Sequence, residues 1–357
     1  MAVLRSQTTR YPPFVVEFES EFASYVGRKF GLSFCNGTSS LEAALFALDV
    51  KPGDEVIVPS CTFHASLDPV INCGAELVFI DILPSNGTMD PDRIADNITE
   101  KTCGIIVTHI WGFPADMRRI CAIAKERKLW VVEDCSHAHG AEVAGKKCGS
   151  FGAISFFSLQ GAKPIAAGEG GIAVTDDEVY YARMSAFGHF DRHTDLIAKH
   201  GFAKHKQTGL GHKLRANPLG IRLAGVDLKH LDGLNRLKHR NLCRLTREIS
   251  KLEGVRIAQA LPETTPGGFY YGVYIVLDSD QYDASKFSAH LRPAICLKRY
   301  PFPLHHKLER YSDATQVALP ETEKLQVQAL FLGLEWLLKP QENRLSAISR
   351  ALNAARR

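Results

Sequence analysis

Short apolar runs separated by helical patterns fill the first half of this 357-residue chain. Leu32 to Cys35 is the first of them, and Glu55–Pro59, Leu77–Ile82, Gly104–Ile110 and Leu129–Val132 follow. Brief runs that are apolar throughout are the pattern of strands buried on both faces. Between them, Leu41–Leu48, Asp90–Ile98 and roughly Met117–Arg127 read as helices with short connections. Strand and helix in alternation predict an α/β fold with a mostly parallel sheet and helices on both faces. Ahead of the first strand, Phe14, Phe18, Phe22 and Tyr25 recur at helical spacing with Glu17, Glu19 and Glu21 between them. That is an amphipathic packing helix with no chemistry implied.

The run beginning at Ser155 carries chemistry. A strand through Phe156, Phe157 and Ser158 leads into a turn of small residues bearing Lys163. The turn closes with Gly168-Glu169-Gly170-Gly171 before a second strand, Ile172 to Thr175. Lysine is seldom buried without a reason, and desolvation lowers an ammonium pKa and makes a Schiff-base nucleophile. The competing reading is a surface lysine in a strand-to-strand loop. Asp134 ends another strand, in Glu133-Asp134-Cys135-Ser136-His137-Ala138-His139. The carboxyl end of a buried strand is where α/β proteins place active groups. Asn36-Gly37-Thr38-Ser39-Ser40 joins a strand to a helix, a recipe for phosphate binding because the first helical N–H groups lack partners. A plain N-cap at Thr38 or Ser39 is the competing reading, and on this segment alone the commoner one.

Farther on, Phe187–Lys213 is basic, histidine-rich and reads as a long loop, facing either solvent or an anionic substrate group. A long helical pattern runs from Leu219 to about Leu252. Beyond about Arg256 the character changes: Tyr270–Leu277 reads as a strand, Ile295–His306 as a loop and Ser346–Ala355 as a basic amphipathic helix. A large domain over residues 1–235 and a smaller α+β domain over 236–357 are therefore expected. A net charge of +4 is too mild to argue for nucleic acid, and no apolar run approaches a membrane span. No signal-peptide pattern opens the chain. Nine dispersed cysteines without Cys-x-x-Cys fit reduced thiols in cytoplasm. No metal site is expected: Asp134, His137 and His139 lie close in sequence, but no further ligand set joins them. There is neither a Gly-x-Gly-x-x-Gly fingerprint nor a P-loop.

Ser158-x-x-x-x-Lys163 followed by Gly168-Glu169-Gly170-Gly171 resembles the Schiff-base segment of the pyridoxal-phosphate sugar aminotransferases, the DegT-like group of fold-type I enzymes. The likeness continues from about Val15 to about Tyr300. It implies that Lys163 carries pyridoxal phosphate and that Ser158, Gly37, Thr38 and Ser39 hold its phosphate. It further implies that Asp134 faces the ring nitrogen, that Phe63 stacks on the ring and that His137 contacts the ring or its phenolic oxygen. His109-Ile110-Trp111-Gly112-Phe113-Pro114-Ala115-Asp116 resembles a family signature with a structural role, Trp111 being a candidate for the site wall. Tyr300 and His305 sit in a second such segment, read mainly as scaffold. Lys213 and Arg215 occupy the place of a Gly-x-Asn-x-Arg segment that reaches across a homodimer to the partner's cofactor phosphate, with Lys213 where asparagine is usual.

The implied activity moves an amino group from glutamate or glutamine to a keto-sugar, nucleotide-linked in the first reading. A cyclitol or a small phosphorylated ketone is the alternative acceptor. A pyridoxamine-phosphate sugar dehydratase of the same fold would carry histidine in place of Lys163. A non-catalytic regulatory relative would need no such lysine.

Overall fold

The computed structural model describes residues 12–189, 191–278, 280–291, 297–314, 318–338 and 342–356. The first strands are β1 (Phe30–Phe34), β2 (Glu55–Pro59), β3 (Glu76–Ile80), β4 (Thr102–Thr108) and β5 (Trp130–Asp134). A small hairpin, β6 (Glu142–Val143) and β7 (Lys146–Lys147), precedes β8 (Ile154–Ser158) and β9 (Gly171–Thr175). The main sheet has seven strands in the order β1-β9-β8-β5-β4-β2-β3. β3, β2, β4, β5 and β8 pair in parallel, and β9 runs against both of its neighbours.

Alternation along these strands divides the core. Val56, Val58, Ile106 and Val132 join Leu41, Ala44 and Leu45 of the helix Gly37–Ala47 on one face. Ile57, Ile105, Val107 and Val131 join Phe18 and Phe22 of the helix Pro13–Val26 on the other. Successive side chains of a strand point to opposite faces, so every strand with both faces covered is apolar throughout. The first helix begins on Pro13 and ends at Gly27, whose φ of 87° suits a left-handed cap.

Several expectations need correction. Asp90–Ile98 forms no α-helix but two short 3₁₀ turns, Pro91–Arg93 and Ala95–Asn97. The Asp90 side chain accepts from Asp92 N at 3.0 Å and holds the chain in a turn. Phe187–Lys213 is not structureless. The helix Glu178–Gly188 runs into it, and Thr194–Ile197, Ala198–Phe202 and Ala203–His205 are helical turns. Several of its charges meet partners within the chain. Lys199 and His200 meet Glu178, and Lys206 meets Asp195. Arg192 forms a bidentate pair with Glu19, both buried, and Glu19 also accepts from Ser33 N at 2.8 Å and Ser33 Oγ at 2.6 Å.

A second sheet has four antiparallel strands, ordered β10 (Val255–Ile257), β12 (Val273–Leu277), β14 (Ala329–Leu332) and β13 (Leu297–Arg299). The short β11 (Thr264–Thr265) joins β6 instead. β12 starts at Val273, not at Tyr270, because Phe269 and Tyr271 have φ of 56° and 73°. The expected loop Ile295–His306 contains β13, and Ile295 and Cys296 lie outside the described residues.

One helix, Pro218–Ile249, spans both cores. Ile221, Ala224, Leu228 and Leu231 pack under the large sheet, and Leu242, Leu245 and Ile249 pack under the small one. Residue 235, where the domain division was drawn, lies inside this helix and not in a linker. Among the described residues no helix is long and apolar enough to cross a membrane.

Breaking a buried ion pair strands a charge away from water, at a cost of about 3–5 kcal/mol. Glu19→Ala should lower unfolding stability by that order, read as a lower urea midpoint at an unchanged slope. An unchanged midpoint would show that Arg192 finds another anchor.

Candidate active site

The carboxyl ends of the parallel strands converge on a cavity of about 340 Å³, within the range of small-molecule sites. β1 delivers Asn36 and Gly37, β2 is followed by Thr62 and Phe63, β4 ends at Thr108, β5 at Asp134 and β8 at Ser158. Tyr270, Tyr271 and Phe302 from the second core close the opposite wall.

Asn36 caps the helix Gly37–Ala47: its Oδ1 accepts from Ser39 N at 2.8 Å. The cap is therefore neither Thr38 nor Ser39. Gly37 and Thr38 line the cavity. Ser39 is outside the lining, with its hydroxyl 3.3 Å from Cys35 Sγ. A Cβ on Gly37 would sit 3.1 Å from Ser158 Cβ, so the helix N-terminus and Ser158 are in contact. Gly171 permits this. It pairs with Phe34 on one side and Ser158 on the other, and a Cβ there would lie 2.3 Å from Asn36 O. Free helical N–H groups beside a serine hydroxyl form an anion cup.

Asp134 is 5% exposed. Its Oδ2 accepts from Ser66 Oγ at 2.5 Å and its Oδ1 from Ser136 N at 2.9 Å. Ser66 continues a hydroxyl chain through Thr62, 3.1 Å away, to Thr108, 3.0 Å farther. Nothing in the sequence marked Ser66, which lies in a one-turn 3₁₀ helix after β2.

Lys163 reaches into the cavity from the β8–β9 turn. Burial pushes its amine down to about 7, against the pull of the Asp134 charge. Its Nζ lies 3.5 Å from the centroid of Tyr270. His137 lies against the same ring, centroids 4.6 Å apart and tilted by 32°. Burial, then the charges of Lys163 and His139, push His137 well below its ordinary value. The imidazole is neutral, and Nδ1 accepts from Trp111 N at 3.3 Å, so the ring proton belongs on Nε2. Phe63 stands at the mouth, 46% exposed. Trp111 is no wall: it is fully buried against Phe331 and Tyr274.

Lys213 and Arg215 do not line this cavity. They form bridges with His189 and Phe34 at the edge of β1, and Arg215 Nη1 is 3.9 Å from Asp191. Among the described lining residues Lys163 is the one lysine or arginine. His109, Glu133 and Cys135 come within metal-ligating reach of one another. Glu133, however, already accepts from Gly149, Phe151 and Gly152 N at 2.7 Å and pairs with His109 at 3.1 Å. Burial opposes its charge, but His109 and those N–H groups hold its carboxyl at about 2. Ala115 N donates to His109 Nδ1 at 3.1 Å. The cluster is a brace for the signature loop.

A buried amine and a buried carboxylate face one cavity with an anion cup beside them, the set of groups that a Schiff base to a phosphorylated aldehyde requires. Residues 1–346 match the DegT/DnrJ/EryC1/StrS aminotransferase family, and the chain belongs to it. It is 41% identical over 174 residues to a GDP-perosamine synthase of Escherichia coli O157:H7, covering 49% of this chain and 48% of that protein. The match thus spans about half of that relative. It is 32% identical to a UDP-N-acetyl-3-dehydro-alpha-D-glucosamine 3-aminotransferase of Acidithiobacillus ferrooxidans, over 88% of this chain and 82% of that one. An aminotransferase structure from Psychrobacter cryohalolentis superposes with a TM-score of 0.86 at 27% identity, over 99% of this chain and 93% of the other. Aminotransferases of the family use pyridoxal phosphate. The site fits that group: an anion cup that a side chain at Gly37 would crowd, a carboxylate for a ring nitrogen and an amine for an aldehyde.

The amine's ordinary value is 10.5, and folding lowers it to about 7. The cost of burying its charge is therefore complete below about pH 7 and is relieved as pH rises from about 7 to 10.5. Without cofactor, Lys163→Met should be more stable than the parent at pH 6, with the gap closing by pH 10. A gap independent of pH would refute the burial of a titrating amine.

Proposed function

We propose that the protein is a pyridoxal-phosphate aminotransferase that passes an amino group from glutamate or glutamine to the ketone of a nucleotide-linked sugar. The observation that carries this reading is Lys163 facing Asp134 across a cavity with an anion cup. Two relatives bear names of enzymes that make or aminate nucleotide-linked sugars, which supports that acceptor, while two others are named as aminotransferases of cyclitol ketones, which keeps a cyclitol as the second reading. The lysine also stands against a dehydratase with histidine at that position. A regulatory protein would have no use for an amine poised between its charged and neutral forms.

Each residue has a part. Gly37 and Thr38 N–H groups with Ser158 Oγ hold the phosphate. Asp134, fixed by Ser66 and Ser136, would keep a ring nitrogen protonated. Phe63 and His137 would bound the ring, with Nε2–H of His137 the donor offered to an oxygen on it. When bound, the pyridine ring accepts the electrons left by a breaking C–H bond. With the group bound, Lys163 Nζ, near the midpoint of its titration at about pH 7, would take the proton from the donor's α-carbon as its neutral amine and hold it for return. In the second half-reaction the same amine moves the proton the other way.

A doubly charged phosphate calls for a cation that the lining does not supply from Lys213 or Arg215 of the same chain. We infer a homodimer of C2 symmetry in which these two residues serve the partner's cup. Leu219, Leu223 and Val226 support it: they are exposed on successive turns of one helix face just after Arg215.

Borohydride reduction of the loaded protein should fix the cofactor to the Lys163 peptide alone; label on another lysine would overturn the assignment. Asp134→Asn should bind cofactor yet slow proton transfer by at least tenfold. Subunit exchange between inactive Lys163→Ala and Lys213→Ala dimers should restore part of the activity through one intact site. Exchange without recovery would place Lys213 away from the partner's phosphate.

A further inference from the structure

The turn Gly267–Gly272 is held in an expensive conformation. Phe269 and Tyr271 have positive φ, and Gly268 and Gly272 flank them at 72° and 105°. Such geometry costs non-glycine residues about 1–3 kcal/mol each and persists where the surroundings over-determine it. They do so here. A Cβ on Gly268 would lie 2.6 Å from His137 O, and one on Gly272 would lie 2.0 Å from Leu332 O. Two buried polar side chains of the long helix clamp the turn from below. Asn235 accepts from Gly268 N at 2.9 Å and donates to His139 O at 2.8 Å. Lys238 Nζ donates to Gly268 O at 2.8 Å. Both are under a tenth exposed.

The side chain this mount delivers to the cavity is Tyr270. Its ring lies against His137 on one side and receives Lys163 Nζ on its face. Nζ has no hydrogen bond among the described residues, so the aromatic face is its one direct contact of polar character. The 3.5 Å separation is well inside the range of cation–π attraction. Burial raises the Tyr270 phenol, so the ring stays neutral beneath the ammonium.

We propose that Tyr270 is a positioning residue for Lys163: whenever the amine carries no imine, the face of the tyrosine ring holds its ammonium in the cavity beside the place where it reacts. A lysine side chain has four flexible methylenes, and water competes for its charge. Tyr270 keeps the chain folded inward in the cofactor-free protein and in the amino-loaded half of the cycle. The phenol hydroxyl has no part in this, because the ring face alone makes the contact. The inference rests on the proposed function only in taking Lys163 as the reacting amine.

The test is NMR of the cofactor-free protein with lysines labelled with ¹³C at Cε, the Lys163 signal being the one lost in Lys163→Ala. The parent should show a ring-current displacement of that signal. Tyr270→Phe should keep both the displacement and the titration midpoint. Tyr270→Leu should abolish the displacement and lower the midpoint by about half a unit, the loss of one cation–π contact. Asp134, His137, Glu169 and Tyr271, the other titratable groups of the lining, are the same in all three. If Tyr270→Leu does not fold, Tyr270→Met makes the same comparison. An undisplaced parent signal, or a leucine or methionine variant that titrates like the parent, overturns the proposal. So does a phenylalanine variant that behaves like leucine, since the hydroxyl would then be the acting group. No cofactor or turnover enters this measurement, so it stands apart from the borohydride map that decides which lysine reacts.

Discussion

Everything in the site depends on the desolvation of one amine. Lys163 in water would stay charged to about pH 10 and would be a poor nucleophile at neutrality. Its burial needs two cores. The large sheet supplies the floor, through the ends of β5 and β8, and the second core supplies the wall, through Tyr270, Tyr271 and Phe302. The helix Pro218–Ile249 packs into both cores and so fixes the wall to the floor. Asp134 opposes the effect of burial, and the two together leave the amine near the midpoint of its titration at neutral pH.

Two consecutive carboxylates on β5 show how alternation divides labour. Glu133 points into the apolar face, where His109, Ser155 and three backbone N–H groups occupy its oxygens. It can give nothing to a ligand. Asp134 points to the cavity and has one serine hydroxyl and one N–H, which orient it and leave lone pairs toward the cavity. Exchange of their roles by a one-residue shift would bury the functional group and expose the structural one.

The sheet could be read from the chain because strands buried on both faces are apolar without interruption. Asp134 and Ser158 end buried strands, Gly37 opens the helix after one and Lys163 stands in a strand-to-strand turn, and these places together with the family resemblance brought them forward. Other features were hidden for physical reasons. Ser66 holds Asp134 from a one-turn helix whose sequence looks like any polar loop. Tyr270 looked like the start of a strand, since nothing in an aromatic pair announces left-handed backbone; the flanking Gly268 and Gly272 were the available signal. The basic stretch after Phe187 looked solvated because charge composition does not reveal partners. Arg192 is in fact buried on Glu19, and those two lie 173 positions apart. Trp111 was drawn toward the site by its motif, but its ring serves the second core and only its amide reaches His137.

The most direct measurement is the pH dependence of the rate at which cofactor-free protein captures pyridoxal phosphate, followed by absorbance. Only a neutral amine attacks the aldehyde. With the amine at about 7, the rate should rise through that pH and level off above about pH 8, and Lys163→Ala should abolish the absorbance change. A rate that keeps climbing toward pH 10, as for a lysine in water, would contradict the claim that burial makes this amine reactive.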